Sequence, residues 1–154
     1  MAEQVKDIMS KELVTISKER SALDAAKIMT DKGVSSLIVL SGDQPVGIVT
    51  ERDFIKKICL KELQLSEVPI EQIMSKIRTY ATPDTSIEVA VQRMINNRIR
   101  RLPIIDDDKL VGIVTVTDLA KHLRTILLLD GALSSHSLCY HIKKFFKYVF
   151  YIGI

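Results

Sequence analysis

The chain has 154 residues, 47% of them apolar and 27% charged, with a formal net charge of +3. That size and balance fit one compact domain or two small interdependent ones, and exclude a disordered, collagenous or disulfide-stapled chain. Cys59 and Cys139 match no metal spacing, Met1–Ser10 is charged where a secretory leader would be apolar, and no charge-free run approaches the ~18 apolar residues of a membrane span, so a reduced, cytoplasmic protein is expected.

The charge is unevenly placed. Residues 1–123 hold 18 basic and 18 acidic side chains, whereas residues 124–154 set Arg124, Lys143, Lys144 and Lys147 against Asp130 alone. The aromatics divide the same way, with only Phe54 and Tyr80 before the tail. A boundary is therefore expected near 124–132.

Slid against itself, the sequence aligns without gaps at an offset of 65 residues, so that Val5–Ile58 lies on Ile70–Leu123. Ile8-Met9-Ser10-Lys11 falls on Ile73-Met74-Ser75-Lys76, and Val46-Gly47-Ile48-Val49-Thr50 on Val111-Gly112-Ile113-Val114-Thr115. This predicts two repeats, 5–58 and 70–123, joined by a short linker over 59–69 and followed by a tail over 124–154.

Each copy reads alike. A short turn (Val5–Met9, Ile70–Met74) leads to a brief strand (Leu13–Ile16, Arg78–Ala81), and a helix then starts at a capping pattern, Ser21-x-x-Asp24 or Thr85-x-x-Glu88. Ala22, Ala25, Ala26 and Met29, and Ile87, Ala90, Val91 and Met94, form one apolar face each. Two β-branched runs follow, Val34–Leu40 and Val46–Thr50 split by residues 41–45, and Leu102–Ile105 and Leu110–Thr115 split by residues 106–109. A second helix closes each copy, Glu51–Leu60 and Val116–Leu129. The fold class is α/β, or α+β by some schemes: two tandem β-α-β-β-α units in one pseudo-two-fold module. A single unit is too small to bury a good core alone.

The doubled Gly-Ile-Val-Thr-x-x-Asp and the Arg101–Asp106 stretch, Arg-Leu-Pro-Ile-Ile-Asp, resemble a tandem pair of CBS domains, named after cystathionine beta-synthase and found also in AMP-activated kinase and IMP dehydrogenase. The resemblance covers about residues 5–123. It implies a stand-alone regulatory module without catalysis, binding AMP, ADP, ATP or S-adenosylmethionine in clefts between paired repeats, commonly as a homodimer, and signalling to an effector protein.

Under that resemblance, Thr50-Glu51-Arg52-Asp53 and Thr115-Val116-Thr117-Asp118 sit where a strand hands over to a helix whose first amides face an anion. The Thr50 hydroxyl adds a phosphate bond, and the acceptor-only carboxylates of Asp53 and Asp118 match ribose hydroxyls. Family geometry completes each motif from the opposite repeat: Thr50/Asp53 with Arg100, Arg101, Thr79 and Tyr80, and Thr115/Asp118 with Val14, Thr15, Ser35 and Ser36. The arginines would give the first cleft a preference for phosphorylated nucleotides. The competing class is a scaffold with empty clefts.

Other clusters carry less. Asp106-Asp107-Asp108 reads as a turn, not a metal site. Met9, Met29, Met74 and Met94 read as core, and His122, His136, His141 and the cysteines lack the partners a hydrolytic or thiol site needs. No P-loop or dinucleotide fingerprint is present. In the tail, Ile142–Ile152 reads as a basic amphipathic helix or as a strand. It would pack on the module or a dimer mate, dock peripherally on a membrane or partner helix, or stem from a shifted reading frame. A nucleic-acid role is not expected from neutral repeats.

Overall fold

The computed structural model describes residues 3–129, with side chains through Thr125. The expectations for 130–154, with Cys139, His136 and His141, lie outside the described residues.

In the first copy, β1 (Thr15–Ser17) runs parallel to β2 (Ser36–Ser41) through the crossover helix α1 (Ala22–Lys32). β3 (Gln44–Thr50) returns antiparallel to β2, with Ser36 opposite Thr50. α2 (Glu51–Lys57) and a 3-10 turn (Cys59–Lys61) then lead to α3 (Ile70–Ile73). β4 (Ser75–Lys76) adds antiparallel to β3, giving the order β1-β2-β3-β4. The second copy holds α4 (Ile87–Asn97), the hairpin β5 (Arg101–Asp106) and β6 (Lys109–Thr115), and α5 (Val116–Leu129).

β3, β5 and β6 are longer than expected, β2 starts two residues later than expected and runs one residue further, and both hairpin turns are shorter. Asp107 and Asp108, at φ 45° and 60°, make the two-residue turn that mirror-image hairpin geometry demands, which accounts for the acidic run. α2 ends at Lys57, short of the expected Leu60, as Ile58 leaves helical geometry (φ −118°, ψ −64°) with its side chain buried.

The strand expected at Arg78–Ala81 reduces to one parallel bridge, Ala81 with Ile104. Two prolines explain it. In the first copy the Lys18 amide bonds the Leu40 carbonyl and the Ile38 amide bonds the Val14 carbonyl. The second copy has Pro83 and Pro103 in those places, and neither carries an N–H. The capping residue of α4 is Ser86, not Thr85: the Ser86 hydroxyl accepts the Val89 amide at 3.4 Å, while the Thr85 hydroxyl accepts the Thr82 amide.

Contacts gather the chain into two units that do not coincide with the sequence repeats. One contains residues 12–78 with 107–110; the other contains, of the described residues, 3–11, 79–106 and 111–129. The turns leading each repeat are exchanged. Ile70 and Ile73, which lead the second repeat, are buried with Ile16, Ala25, Leu37, Val39 and Val49 of the first. Val5, which leads the first repeat, is buried with Ala90, Met94, Leu102, Ile104 and Val114 of the second. Matching bridges fix both turns: Ser21 with Pro69 in one unit, Gln4 with Ser86 in the other.

Candidate functional site

In the first unit, the β2–β3 register places Ser36 beside Thr50, and the Ser35 carbonyl accepts the Glu51 amide at 3.3 Å. The Val14 carbonyl accepts the Ile38 amide at 3.1 Å, and Thr15 pairs with Ile38. Val14, Thr15, Ser35, Ser36 and the Thr50–Asp53 motif, with Arg52 exposed, therefore meet at one sheet edge.

The other unit repeats the arrangement with different chemistry. The Arg100 carbonyl accepts the Val116 amide at 3.1 Å, setting Arg100 and Arg101 at the head of β5 beside Thr115–Asp118, where Thr117 is exposed. Ala81, bonded to Pro103 and Ile105, brings Thr79 and Tyr80 to the same edge. The Tyr80 carbonyl accepts Arg93 Nη1 at 2.6 Å, and its ring is half exposed. Within each unit, then, a Thr-x-x-Asp motif stands among residues of its own copy. The cause is local: the strand that feeds the helix is paired with the preceding strand of its own hairpin, so the residues leading that strand lie beside the helix start.

Both aspartates are held by their threonines. The Thr50 amide donates to Asp53 Oδ2 at 2.9 Å and the Thr50 hydroxyl at 2.8 Å. In the second copy the Thr115 amide and hydroxyl donate to Asp118 Oδ2 at 2.8 and 2.6 Å, and the Asp118 amide returns a bond to the hydroxyl at 3.2 Å. These are capping boxes with Asp as the reciprocal acid. The Thr50 hydroxyl expected to reach a phosphate thus has its hydrogen committed to Asp53.

The second carboxylate oxygens differ. Asp53 Oδ1 lies 2.9 Å from Lys57 Nζ, one helical turn on, and Lys57 also donates to the Ile73 carbonyl at 2.5 Å and the Met74 carbonyl at 3.4 Å. Asp118 Oδ1 has no partner among the described residues. The residue in the place of Lys57 is His122, which pairs with Glu3 at 2.7 Å. Sequence reasoning missed Lys57 and Glu3, and it named His122 without its partner Glu3. The i,i+4 spacing of Asp53 and Lys57, and its replacement by Asp118 and His122 at the 65-residue offset, is the pattern that would have found Lys57.

Among the described residues no group of three or more His, Cys, Asp or Glu is placed to hold a metal, and no helix is long and apolar enough to cross a membrane.

The sequence model of the CBS domain matches residues 5–59 and again 70–125. The CBS domain-containing protein YhcV of Bacillus subtilis is 34% identical over 116 residues, which cover 75% of this chain and 82% of that protein. A homoserine O-acetyltransferase of Methanosalsum zhilinae is 37% identical over 119 residues, covering 76% of this chain but 23% of the enzyme. The chain spans 60% and 23% of the length of the first two curated relatives it matches. Among solved structures, the CBS domain pair of protein MJ0100, in complex with 5-methylthioadenosine and S-adenosyl-L-methionine, aligns with a TM-score of 0.72 at 28% identity, covering 81% of this chain and 98% of that one. Two matched segments, each carrying its own Thr-x-x-Asp group, place the chain in the CBS domain family, with the domain present twice in tandem.

Proposed function

We propose that the chain is a regulatory module that binds adenosyl ligands, such as AMP, ADP, ATP or S-adenosylmethionine, and signals by a conformational change that an effector protein reads. It acts by binding and carries out no catalysis. The observation that carries this reading is the Asp118 carboxylate, fixed through Oδ2 by Thr115 while Oδ1 has no partner among the described residues. A ribose offers two neighbouring hydroxyls, and an ionised carboxylate is the acceptor that suits them. Arg100 and Arg101 bring fixed positive charge for phosphate, and Thr79 and Tyr80 bring a partly apolar surface for adenine to the same edge. The likeness to a CBS pair solved with two adenosyl ligands supports the ligand class.

A ligand that prefers one conformation shifts the population toward it, and a partner senses that shift. Exposed Ile55, Leu60 and Leu63, on α2 and in the turn that follows, offer an apolar surface for a homodimer or an effector.

Calorimetric titration with AMP and S-adenosylmethionine tests the reading. Asp118→Ala is expected to weaken both ligands roughly tenfold or more, the loss of a charge-assisted acceptor. Arg100→Ala is expected to weaken AMP and leave adenosine unchanged. Absence of binding for AMP, ADP, ATP and S-adenosylmethionine alike would return the chain to a scaffold.

A further inference from the structure

The two aspartates occupy equivalent places, and the same threonine bonds hold one oxygen of each. What separates them is the residue one turn later. Lys57 has three ammonium hydrogens and three acceptors within reach: Asp53 Oδ1 at 2.9 Å, the Ile73 carbonyl at 2.5 Å and the Met74 carbonyl at 3.4 Å. The Asp53 side chain is sheltered, at 12% exposed, while the Lys57 side chain is 34% exposed. A ribose approaching Asp53 would have to displace a cation with two neutral hydroxyls and strip Lys57 of the one anionic partner it has among the described residues, which is unfavourable beside a carboxylate only 12% exposed.

The second copy lacks this occupant. His122 turns to Glu3, and Asp118 Oδ1 is left without a described partner.

We infer that Lys57 is a specificity-determining residue: it closes Asp53 to ribose and confines adenosyl binding to the Asp118 copy, so that one chain takes one ligand. The inference rests on the adenosyl-binding reading above. It replaces the expectation that the Thr50/Asp53 motif takes the phosphorylated nucleotide.

Swapping the residue between copies tests it on the full chain, with AMP and S-adenosylmethionine as probes in calorimetry. The unaltered protein is expected to bind one equivalent, insensitive to Asp53→Ala. Lys57→Met frees Asp53 Oδ1 and is expected to add a second binding event. Lys57→Gln, uncharged but still able to donate to the Ile73 carbonyl, should do the same and stands in if the Met variant fails to fold, which circular dichroism would show. His122→Lys is expected to impose the lock on Asp118 and to weaken AMP roughly tenfold, the factor for one charge-assisted bond. Two equivalents bound by the unaltered protein, binding lost with Asp53→Ala but kept with Asp118→Ala, or unchanged stoichiometry in both Lys57 variants would overturn the inference while leaving adenosyl binding intact. No binding of either probe to the unaltered protein or to the Lys57 variants would overturn the underlying reading and the inference with it.

Discussion

A Cβ built on Gly47 would stand 2.6 Å from Met74 Sδ and 3.0 Å from the Ser75 carbonyl oxygen; on Gly112 it would meet Met9 Sδ at 2.5 Å and the Ser10 carbonyl oxygen at 3.2 Å. The glycine of the Gly-Ile-Val-Thr motif is therefore required by packing of an exchanged turn. Neither glycine has an unusual backbone angle, so the cost of a side chain is steric. Met74 can swing aside, but the carbonyl of paired Ser75 can yield only with its strand. Gly47→Ala is expected to destabilise the fold by about 1–3 kcal/mol, read as a lower urea midpoint at unchanged slope. At this scale the sequence revealed the chemistry-bearing types, Thr, Asp and Arg, since a doubled motif singles them out. It did not reveal Lys57, because i,i+4 Asp–Lys spacing is common on helices and the α3 carbonyl that also holds its ammonium lies sixteen residues away.

The first helix of each copy starts differently, and the difference is testable by pH. At α1 the Ser21 hydroxyl accepts the Asp24 amide at 3.1 Å, and Asp24 Oδ2 accepts from the Ser21 amide and hydroxyl and from Arg20 Nε at 3.0 Å. The Arg20 bond first, and then Ser21, hold the Asp24 carboxyl below its ordinary value of 3.8. A carboxyl lowered in the folded state contributes stability that is present above its unfolded value and lost as pH falls through its folded one. The urea midpoint of the unaltered protein is thus expected to fall more steeply than that of Asp24→Asn as pH drops from about 6 to about 3. α4 has no such latch, because Val89 stands where Asp24 does. The apolar faces of α1 and α4 were legible from periodicity. The cap of α4 was not: Thr85-x-x-Glu88 has the letters of a capping box, while Ser86 makes the bond. The shortened strand before α4 was hidden for a related reason, since Pro83 and Pro103 act through hydrogen bonds to partners far along the chain.

Across the whole molecule, the repeat predicts which residues correspond but not which copy each leading turn joins. Ile70 belongs to the second repeat by sequence and is fully buried in the core of the first. Ile70→Ala is expected to cost about 2–5 kcal/mol. Its effect on hydrogen exchange should be greatest over β2 and β3, residues 36–50, and small over β5 and β6. An alignment at offset 65 would place that loss in the second copy.

The exchange of turns also decides what a cut would do. A protease acting on exposed Lys61, in the connection between the copies, would leave an amino-terminal piece bearing Val5 for the core of the second unit, and a carboxy-terminal piece bearing Ile70 and Ile73 for the core of the first. Each fragment would hold part of the other's interior. The nicked molecule would elute as one species in native buffer and part only in denaturant, so its integrity would not depend on the peptide bond that joins its halves.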